Sequence, residues 1–191
     1  KAYAPSRARK DCELTVLVRP EDCYGNVSDQ FLDRYAVLCD GQELETRCER
    51  VADSTCCRLS CTVDAVNADL VRLTVLEKKT GLSCTVPPIR LVTGEAGEQL
   101  LWGMIHAHSE MSDGTGTLDH YFTQMRDECH IDFAATSDHD HLFETTEAMW
   151  QQACAAVKKY NEPGRFTAFL GYEWAKWAPN GYGDRNVYYL E

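Results

Sequence analysis

The sequence predicts an antiparallel β-sandwich followed by a unit of the α/β class. In the first half of the 191-residue chain, apolar residues recur at every second position within short segments; in the second half, such segments alternate with stretches of helical spacing. A polar stretch, VTGEAGEQ at residues 92–99, separates the two patterns. We therefore predict a β-sandwich domain at residues 1–96 and a second domain at residues 97–191.

Four segments of the first half are predicted to be strands. They are rich in β-branched residues and are separated by Asp, Asn, Gly and Pro clusters: ELTVLVRP (13–20), YAVLCDG (35–41), CRLSCTV (57–63) and DLVRLTVLE (69–77). Regular short strands of this kind are typical of antiparallel sandwiches. The stretch VRPEDCYGNVSDQF resembles the Asp-x-x-Gly-Asn turn common in bacterial immunoglobulin-like modules, which implies an immunoglobulin-like sandwich.

The chain has ten cysteines, and eight of them lie in the first half. An even number in so short a region could form a disulfide framework in a secreted protein. The alternation in CRLSCTV instead places Cys57, Leu59 and Cys61 on one strand face, as expected for small core residues. Without a Cys-x-x-Cys pair, zinc binding by this half is disfavoured. We favour reduced thiols, and with them a cytoplasmic location, over the disulfide framework.

The second half alternates predicted strands and helices. The strands are LLWGMIHAH (100–108), IDFAATSDHD (131–140), FTAFLGYEW (166–174) and NVYYL (186–190), and the first of them is expected to be buried. One helix begins after Thr117 as N-cap, and a second begins at Thr145 or Thr146 and ends before Pro163 and Gly164. This order is typical of a parallel α/β sheet or barrel.

The net charge of −11 is concentrated in the second half. Residues 1–97 carry 13 Lys and Arg and 15 Asp and Glu, whereas residues 98–191 carry 6 and 15. So acidic a half disfavours nucleic acid as a partner, because neutralising phosphates requires a basic face. No apolar run is long enough to span a bilayer, so no membrane partner is predicted. Carboxylates close to histidines suit a cation.

Each predicted parallel strand ends in candidate metal ligands. In α/β folds functional atoms gather at the carboxyl ends of the strands, and residues i and i+2 of a strand point the same way. A tight turn, MSDG, could fold another carboxylate over the same place. The candidates are His106, His108, Asp113, Asp138, His139 and Glu173. Mixed nitrogen and oxygen ligands suit zinc, manganese or iron. The alternative is a polar strand end with incidental histidines.

The motifs HAHSEMSDG, ATSDHD and FLGYEW resemble, in this order, the first motifs of the polymerase and histidinol phosphatase (PHP) superfamily. The closer resemblance is to uncharacterised PHP-like proteins with an N-terminal β domain. It implies a distorted (β/α)7 barrel, of which this chain would hold about half, and hydrolysis of phosphate esters by a metal-bound hydroxide.

The resemblance also implies a role for each residue. His106 and His108 would hold a first metal, Glu173 would bridge two metals, and Asp113 with His139 would bind a third. Asp138 would be either the catalytic carboxylate or a carboxylate that orients the metal ligands. Asp184 stands where the closer relatives have a histidine, and it would take that ligand's place or mark a difference in the site. Two or three divalent transition metals are therefore expected in a complete site.

These patterns together predict a metal-dependent hydrolase, a phosphoesterase acting on a small anionic substrate. The alternatives are a metal-dependent hydrolase of carboxylic esters or amides, and a non-catalytic scaffold with the β-sandwich as a binding module. Because the later ligands of the superfamily are not in this sequence, we expect the isolated chain to be inactive. We also expect it to associate with a missing C-terminal part or with itself through unpaired strand edges.

Overall fold

A computed structural model describes residues 1–28, 30, 32–52, 54–63, 69–95, 97–140, 145–175 and 183–189. The chain divides into two compact units, Lys1–Leu100 and Leu101–Glu191. The sequence patterns had placed the domain boundary between residues 96 and 97. Within the described ranges, neither helix has both the length and the hydropathy needed to cross a bilayer.

The first unit consists of short strands, and in its described part these form three sheets. In chain order they are β1 Ala2–Tyr3, β2 Arg7–Arg9, β3 Glu13–Val18, β4 Tyr35–Cys39, β5 Gln42–Leu44, β6 Thr46–Arg50, β7 Cys57–Thr62, β8 Leu70–Val71, β9 Leu73–Glu77, β10 Ser83–Thr85 and β11 Ile89–Val92. The sheet orders are β1-β3-β7-β6, β10-β9-β4-β5 and β2-β11-β8. The two four-stranded sheets are antiparallel throughout.

One apolar core lies between the sheets of the first unit. Val16 and Leu59 of one four-stranded sheet and Val37 and Leu73 of the other are completely buried and belong to the same cluster. The alternation of apolar residues along each strand is what directs these side chains inward. The predicted β-sandwich is therefore confirmed, and each of the four predicted segments contains at least one strand.

The cysteines of β7 are core residues, as the alternation predicted. Cys57 and Cys61 are 0% and 3% exposed. Burial raises the pKa of the Cys57 thiol to about 12 and that of the Cys61 thiol to about 11. Both thiols are therefore protonated, and so unreactive, at neutral pH.

The described part of the second unit contains a four-stranded mixed sheet with two helices. Its elements are β12 Gly103–Met104, α1 Leu118–Thr123, a π-helical turn Gln124–Glu128, β13 Phe133–Ala135, α2 Glu147–Tyr160, β14 Thr167–Trp174 and β15 Arg185–Tyr189. The order is β12-β13-β14-β15, parallel except for the antiparallel pair of β14 and β15. Thr117 and Thr146 cap α1 and α2 through their hydroxyl oxygens, as predicted. Phe122 and Phe166 are fully buried in the core of this unit.

The described residues do not form the expected part of a (β/α)7 barrel. The strand β15 returns antiparallel to β14. Its connection, residues 175–184, is shorter than the dozen or more residues that a parallel crossover requires. The predicted buried strand at Leu100–His108 is also wrong, because β12 spans Gly103–Met104 at the sheet edge and leaves Trp102 65% exposed.

Candidate metal centre

Backbone hydrogen bonds continue past the strands and bring three chain segments together. The amide of Ser137 donates to the carbonyl of Ala107 at 2.7 Å, which joins the segments that follow β12 and β13. The Glu173 amide donates to the Asp138 carbonyl at 3.0 Å, and the Asp140 amide donates to the Glu173 carbonyl at 3.1 Å. Residues 106–108, 138–140 and 173 therefore meet at the carboxyl ends of the parallel strands.

Three imidazoles surround one carboxylate oxygen. The Oε2 atom of Glu173 lies 3.1 Å from His108 Nε2, 3.3 Å from His139 Nδ1 and 3.5 Å from His106 Nε2. The two Nε2 atoms of His106 and His108 are 3.2 Å apart. Glu173 itself is only 6% exposed. The donor atoms of three predicted ligands, His106, His108 and Glu173, are thus close enough together to hold one cation.

Asp113 lies on the other side of His108. Its Oδ1 is 2.6 Å from His108 Nδ1, and its Oδ2 is 3.7 Å from His139 Nε2. The hydrogen bond with His108 lowers the pKa of Asp113. When Nδ1 of His108 donates to this carboxylate, the lone pair of Nε2 remains available to a cation. His108 thereby belongs to two groups of potential ligands: one with His106 and Glu173, the other with Asp113 and His139.

The loop that carries Asp113 folds tightly against His108. Gly114 donates its amide hydrogen to the Ser109 carbonyl at 3.0 Å, as does Ser112 at 3.1 Å. A Cβ atom at Gly114 would collide with the carbonyl group of His108. Glycine is required here because the two backbone segments approach so closely.

Asp138 holds this same loop. Its carboxylate accepts hydrogen bonds from the Ser109 amide at 2.7 Å, the Ser109 hydroxyl at 2.9 Å and the Ser112 hydroxyl at 2.7 Å. The side chain is buried, with 9% of the residue exposed. With three donors already on its oxygens, Asp138 suits a positioning role better than the catalytic role that the motif resemblance implied.

Asp184 is not part of either ligand group. It is exposed and lies just before β15, beyond the pair formed by Trp174 and Arg185. The residue opposite Glu173 is instead Asn186. Sequence patterns did not single out Asn186, because only the register of the β14–β15 hairpin places it beside Glu173.

The donor set and its spacing fit a divalent transition metal. Ligand atoms that share a tetrahedral cation at bond lengths of 2.0–2.1 Å lie about 3.3–3.4 Å apart. The mutual distances among Glu173 Oε2, His108 Nε2 and His106 Nε2 are close to this, at 3.1, 3.2 and 3.5 Å. Imidazole nitrogen with carboxylate oxygen suits zinc, manganese and iron. The His106 side chain is 53% exposed, so one side of the group is open to solvent.

Residues 102–191 match the model of a family described as "Protein of unknown function (DUF3604)". Uncharacterized proteins of Chlamydia muridarum (strain MoPn / Nigg) and Chlamydia trachomatis serovar D are each 25% identical over 189 residues, which covers 98% of this chain. The chain spans only 30% of the length of these relatives. The crystal structure of the Lin-41 filamin domain is similar at a TM-score of 0.35 and 16% identity, covering 47% of this chain and 85% of that one.

The predicted membership of the PHP superfamily is wrong. The family model that matches the residues carrying the three motifs is the one of unknown function. Short motifs such as His-x-His and Gly-x-Glu describe ligands at strand ends, and such ligands recur on unrelated proteins. The order of the motifs therefore indicated a kind of site and did not identify a family.

Proposed function

We propose that the second unit binds a divalent transition-metal cation through His106, His108 and Glu173 and hydrolyses a phosphate ester there. The observation that supports this most directly is the single Oε2 atom of Glu173 within 3.5 Å of three imidazoles. Among the described residues, the ion-pair partners of this buried carboxylate are all histidines. A buried carboxylate without a permanent positive charge beside it is costly, and a cation offsets that cost.

The side chains around the cation have separate tasks. Glu173, His106 and His108 would hold it, and Asp113 orients His108 through the hydrogen bond at Nδ1. The exposed sides of His106 and Asp113 leave room for a substrate to approach. A cation bound by such a set lowers the pKa of a water ligand to about 7 and neutralises charge that develops on a phosphoryl group.

The charge of this half of the chain favours a small substrate. Residues 98–191 carry 15 acidic and 6 basic residues, which repel extended polyanions. A cation in the ligand group reverses the field locally, so a single phosphate group is attracted where a long nucleic acid is not. We therefore propose a small phosphate monoester or diester as the substrate class.

Cation binding is tested by isothermal titration of the metal-stripped protein with zinc, manganese and iron(II). We expect His106→Ala and Glu173→Gln to weaken binding by at least about 10-fold. His120→Ala is the matched control, because His120 is an exposed histidine of α1 outside both ligand groups. If the unaltered protein binds none of these cations, the proposed centre does not exist.

Hydrolysis is tested with p-nitrophenyl phosphate, bis-p-nitrophenyl phosphate and p-nitrophenyl acetate. The assay uses the full-length protein that contains this sequence, loaded with each cation that binds. Cation-dependent turnover of a phosphate ester that Glu173→Gln abolishes supports the proposal. Turnover of the acetate ester alone assigns a carboxylic-ester hydrolase, and cation binding without turnover of any ester assigns a non-catalytic scaffold.

A further inference from the structure

We propose that Asn186 supplies an additional oxygen ligand, Oδ1, to the cation held by Glu173. This inference rests on the proposed function and extends it to a residue that no motif marked. The first observation is the register of the hairpin: Glu173 of β14 and Asn186 of β15 are directly opposite each other. Residues that face each other in an antiparallel pair have their Cβ atoms about 4.5–5.5 Å apart on the same face of the sheet.

The second observation is an unsatisfied acceptor. The Oδ1 atom of Asn186 is buried and has no hydrogen-bond partner among the described residues. A buried acceptor without a partner costs about 1–3 kcal/mol, so native structures nearly always provide one. The neighbouring Glu173 is a carboxylate and, when ionised, has no hydrogen to donate.

Tyr188 does not supply the missing hydrogen bond. The Tyr188 hydroxyl donates its only hydrogen to the carbonyl of Ile105 at 2.5 Å, so it cannot also donate to Asn186. The Oδ1 atom of Asn186 therefore remains an acceptor without a partner among the described residues.

The Tyr188 ring has a fixed place on this face of the sheet. Tyr188 is opposite Gly171, and a Cβ atom at Gly171 would lie 2.7 Å from the ring. The ring therefore lies across the backbone of β14, with its hydroxyl at the residue that precedes His106. The hydrogen bond of Tyr188 thus joins β15, which carries Asn186, to the segment that carries the first histidines.

The chemical class of the additional ligand predicts which metal benefits. A neutral amide oxygen is a hard donor of the kind that manganese accepts readily, whereas zinc is satisfied by four ligands of the nitrogen and carboxylate type. With Asn186, the group has two imidazoles and two oxygen ligands. Removal of Oδ1 should therefore weaken manganese binding more than zinc binding.

The test compares four proteins in titrations with Mn²⁺ and with Zn²⁺: the unaltered protein, Asn186→Ala, Asn186→Asp and Asp184→Ala. We expect Asn186→Ala to weaken Mn²⁺ binding by about 10-fold or more and Zn²⁺ binding by less. Asn186→Asp keeps an oxygen in place and should retain Mn²⁺ binding. Asp184→Ala, the exposed neighbour, should leave both affinities unchanged.

A second measurement guards against a folding defect. Circular dichroism and the melting temperature are recorded for each variant, and the Mn²⁺ electron paramagnetic resonance spectrum reports whether Asn186→Asp alters the coordination. Loss of Mn²⁺ affinity in Asn186→Ala together with its retention in Asn186→Asp supports the inference. Equal affinities of the unaltered protein and Asn186→Ala for Mn²⁺ overturn it, as does equal loss in the Ala and Asp variants.

The two proposals can fail separately. If His106→Ala abolishes cation binding and Asn186→Ala does not change it, the centre stands and the role of Asn186 is wrong. If Asn186→Ala weakens Mn²⁺ binding and no ester is hydrolysed, the ligand assignment stands and the hydrolase is wrong. If the unaltered protein binds no cation, both proposals are wrong.

Discussion

The Asp138 carboxylate lies within a metal-ligand motif, but its hydrogen bonds are with the neighbouring loop. Its oxygens accept three hydrogen bonds from Ser109 and Ser112. Those two serines flank the turn that leads to Asp113, and Asp113 in turn hydrogen-bonds His108. The orientation of His108 therefore depends on a buried polar network in which each donor has a partner.

We predict that Asp138→Asn weakens cation binding without removing any ligand. The amide NH2 would face the Ser109 amide or the serine hydroxyls, so at least one hydrogen bond is lost and the loop loosens. Replacing a residue that positions a metal ligand typically weakens metal affinity by about 10-fold or more. Titration calorimetry with Asp119→Asn as the matched control measures this, since Asp119 is an exposed aspartate of α1. Unchanged affinity would show that the loop does not position His108.

Most of the candidate ligands could be predicted from the sequence because of their places at the ends of parallel strands. Parallel strands end at the same edge of a sheet, so His106, His108, His139 and Glu173 could be expected to meet there without coordinates. Asn186 could not be found this way, because its place depends on how β15 pairs with β14. Asp184 was chosen from a motif alone, and the same register leaves it outside the ligand groups.

The loop over residues 109–116 is the element that most constrains the site. It closes through hydrogen bonds from Ser112 and Gly114 to the Ser109 carbonyl and from Glu110 to the Gly116 carbonyl. These hydrogen bonds all lie within the loop. The conformation of the loop therefore depends on whether the backbone has enough space at each of its glycines. Gly114 is the position with no space for a side chain.

We predict that Gly114→Ala displaces the loop and lowers both stability and cation affinity. The new methyl group would overlap the His108 carbonyl, and relieving that overlap should cost about 1–3 kcal/mol. Gly116→Ala is the control, because its Cβ would meet only the movable His120 ring at 3.2 Å. Urea unfolding and cation titration of both variants decide the matter. Equal stability of the two variants would contradict the close approach at Gly114.

For secondary structure, helix-capping residues were more reliable predictors than the apolar residues of a segment. Thr117 and Thr146 are caps that sequence alone identified, because each hydroxyl precedes a helical pattern. The apolar run at Leu100–Ile105 predicted a buried strand, but β12 is an edge strand and these side chains are exposed. Apolar content cannot distinguish the edge of a sheet from its centre, because that depends on which strands lie alongside.

The described residues form two hydrophobic clusters, one in each unit. The first cluster could be predicted because strands with one buried face have a strict period of two. The shorter strands, such as β2 and β5, escaped prediction because three residues do not establish a period. With separate cores, a change confined to the first unit should alter the unfolding of that unit.

We predict that Glu21→Gln destabilises the first unit at neutral pH and much less in acid. Burial raises the pKa of Glu21, but hydrogen bonds and charges from Arg19 and Lys1 outweigh it and hold the pKa below its ordinary value of 4.5. The ionised carboxylate thus contributes stability that is fully present above pH 4.5 and is lost as the pH falls through the lower folded pKa. The loss in the variant at pH 7 should be about 2 kcal/mol.

Urea unfolding between pH 7 and pH 3, followed by β-sheet circular dichroism, measures this difference. Glu43→Gln is the control, because Glu43 pairs with Lys78 at the surface, where its side chain is 54% exposed. Such surface pairs contribute about 1 kcal/mol at most. A stability difference for Glu21→Gln that stays constant with pH would contradict the role assigned to its charge.

The ligand group draws its side chains from distant positions along the chain. The His106 and Glu173 side chains lie 3.5 Å apart, although the two residues are 67 positions apart in the sequence. No short peptide cut from this protein can reproduce that arrangement, because each strand end is held by its neighbour's backbone. The centre is therefore a long-range feature that requires the folded second unit. During unfolding, release of a bound cation would therefore mark the point at which the second unit loses its tertiary structure.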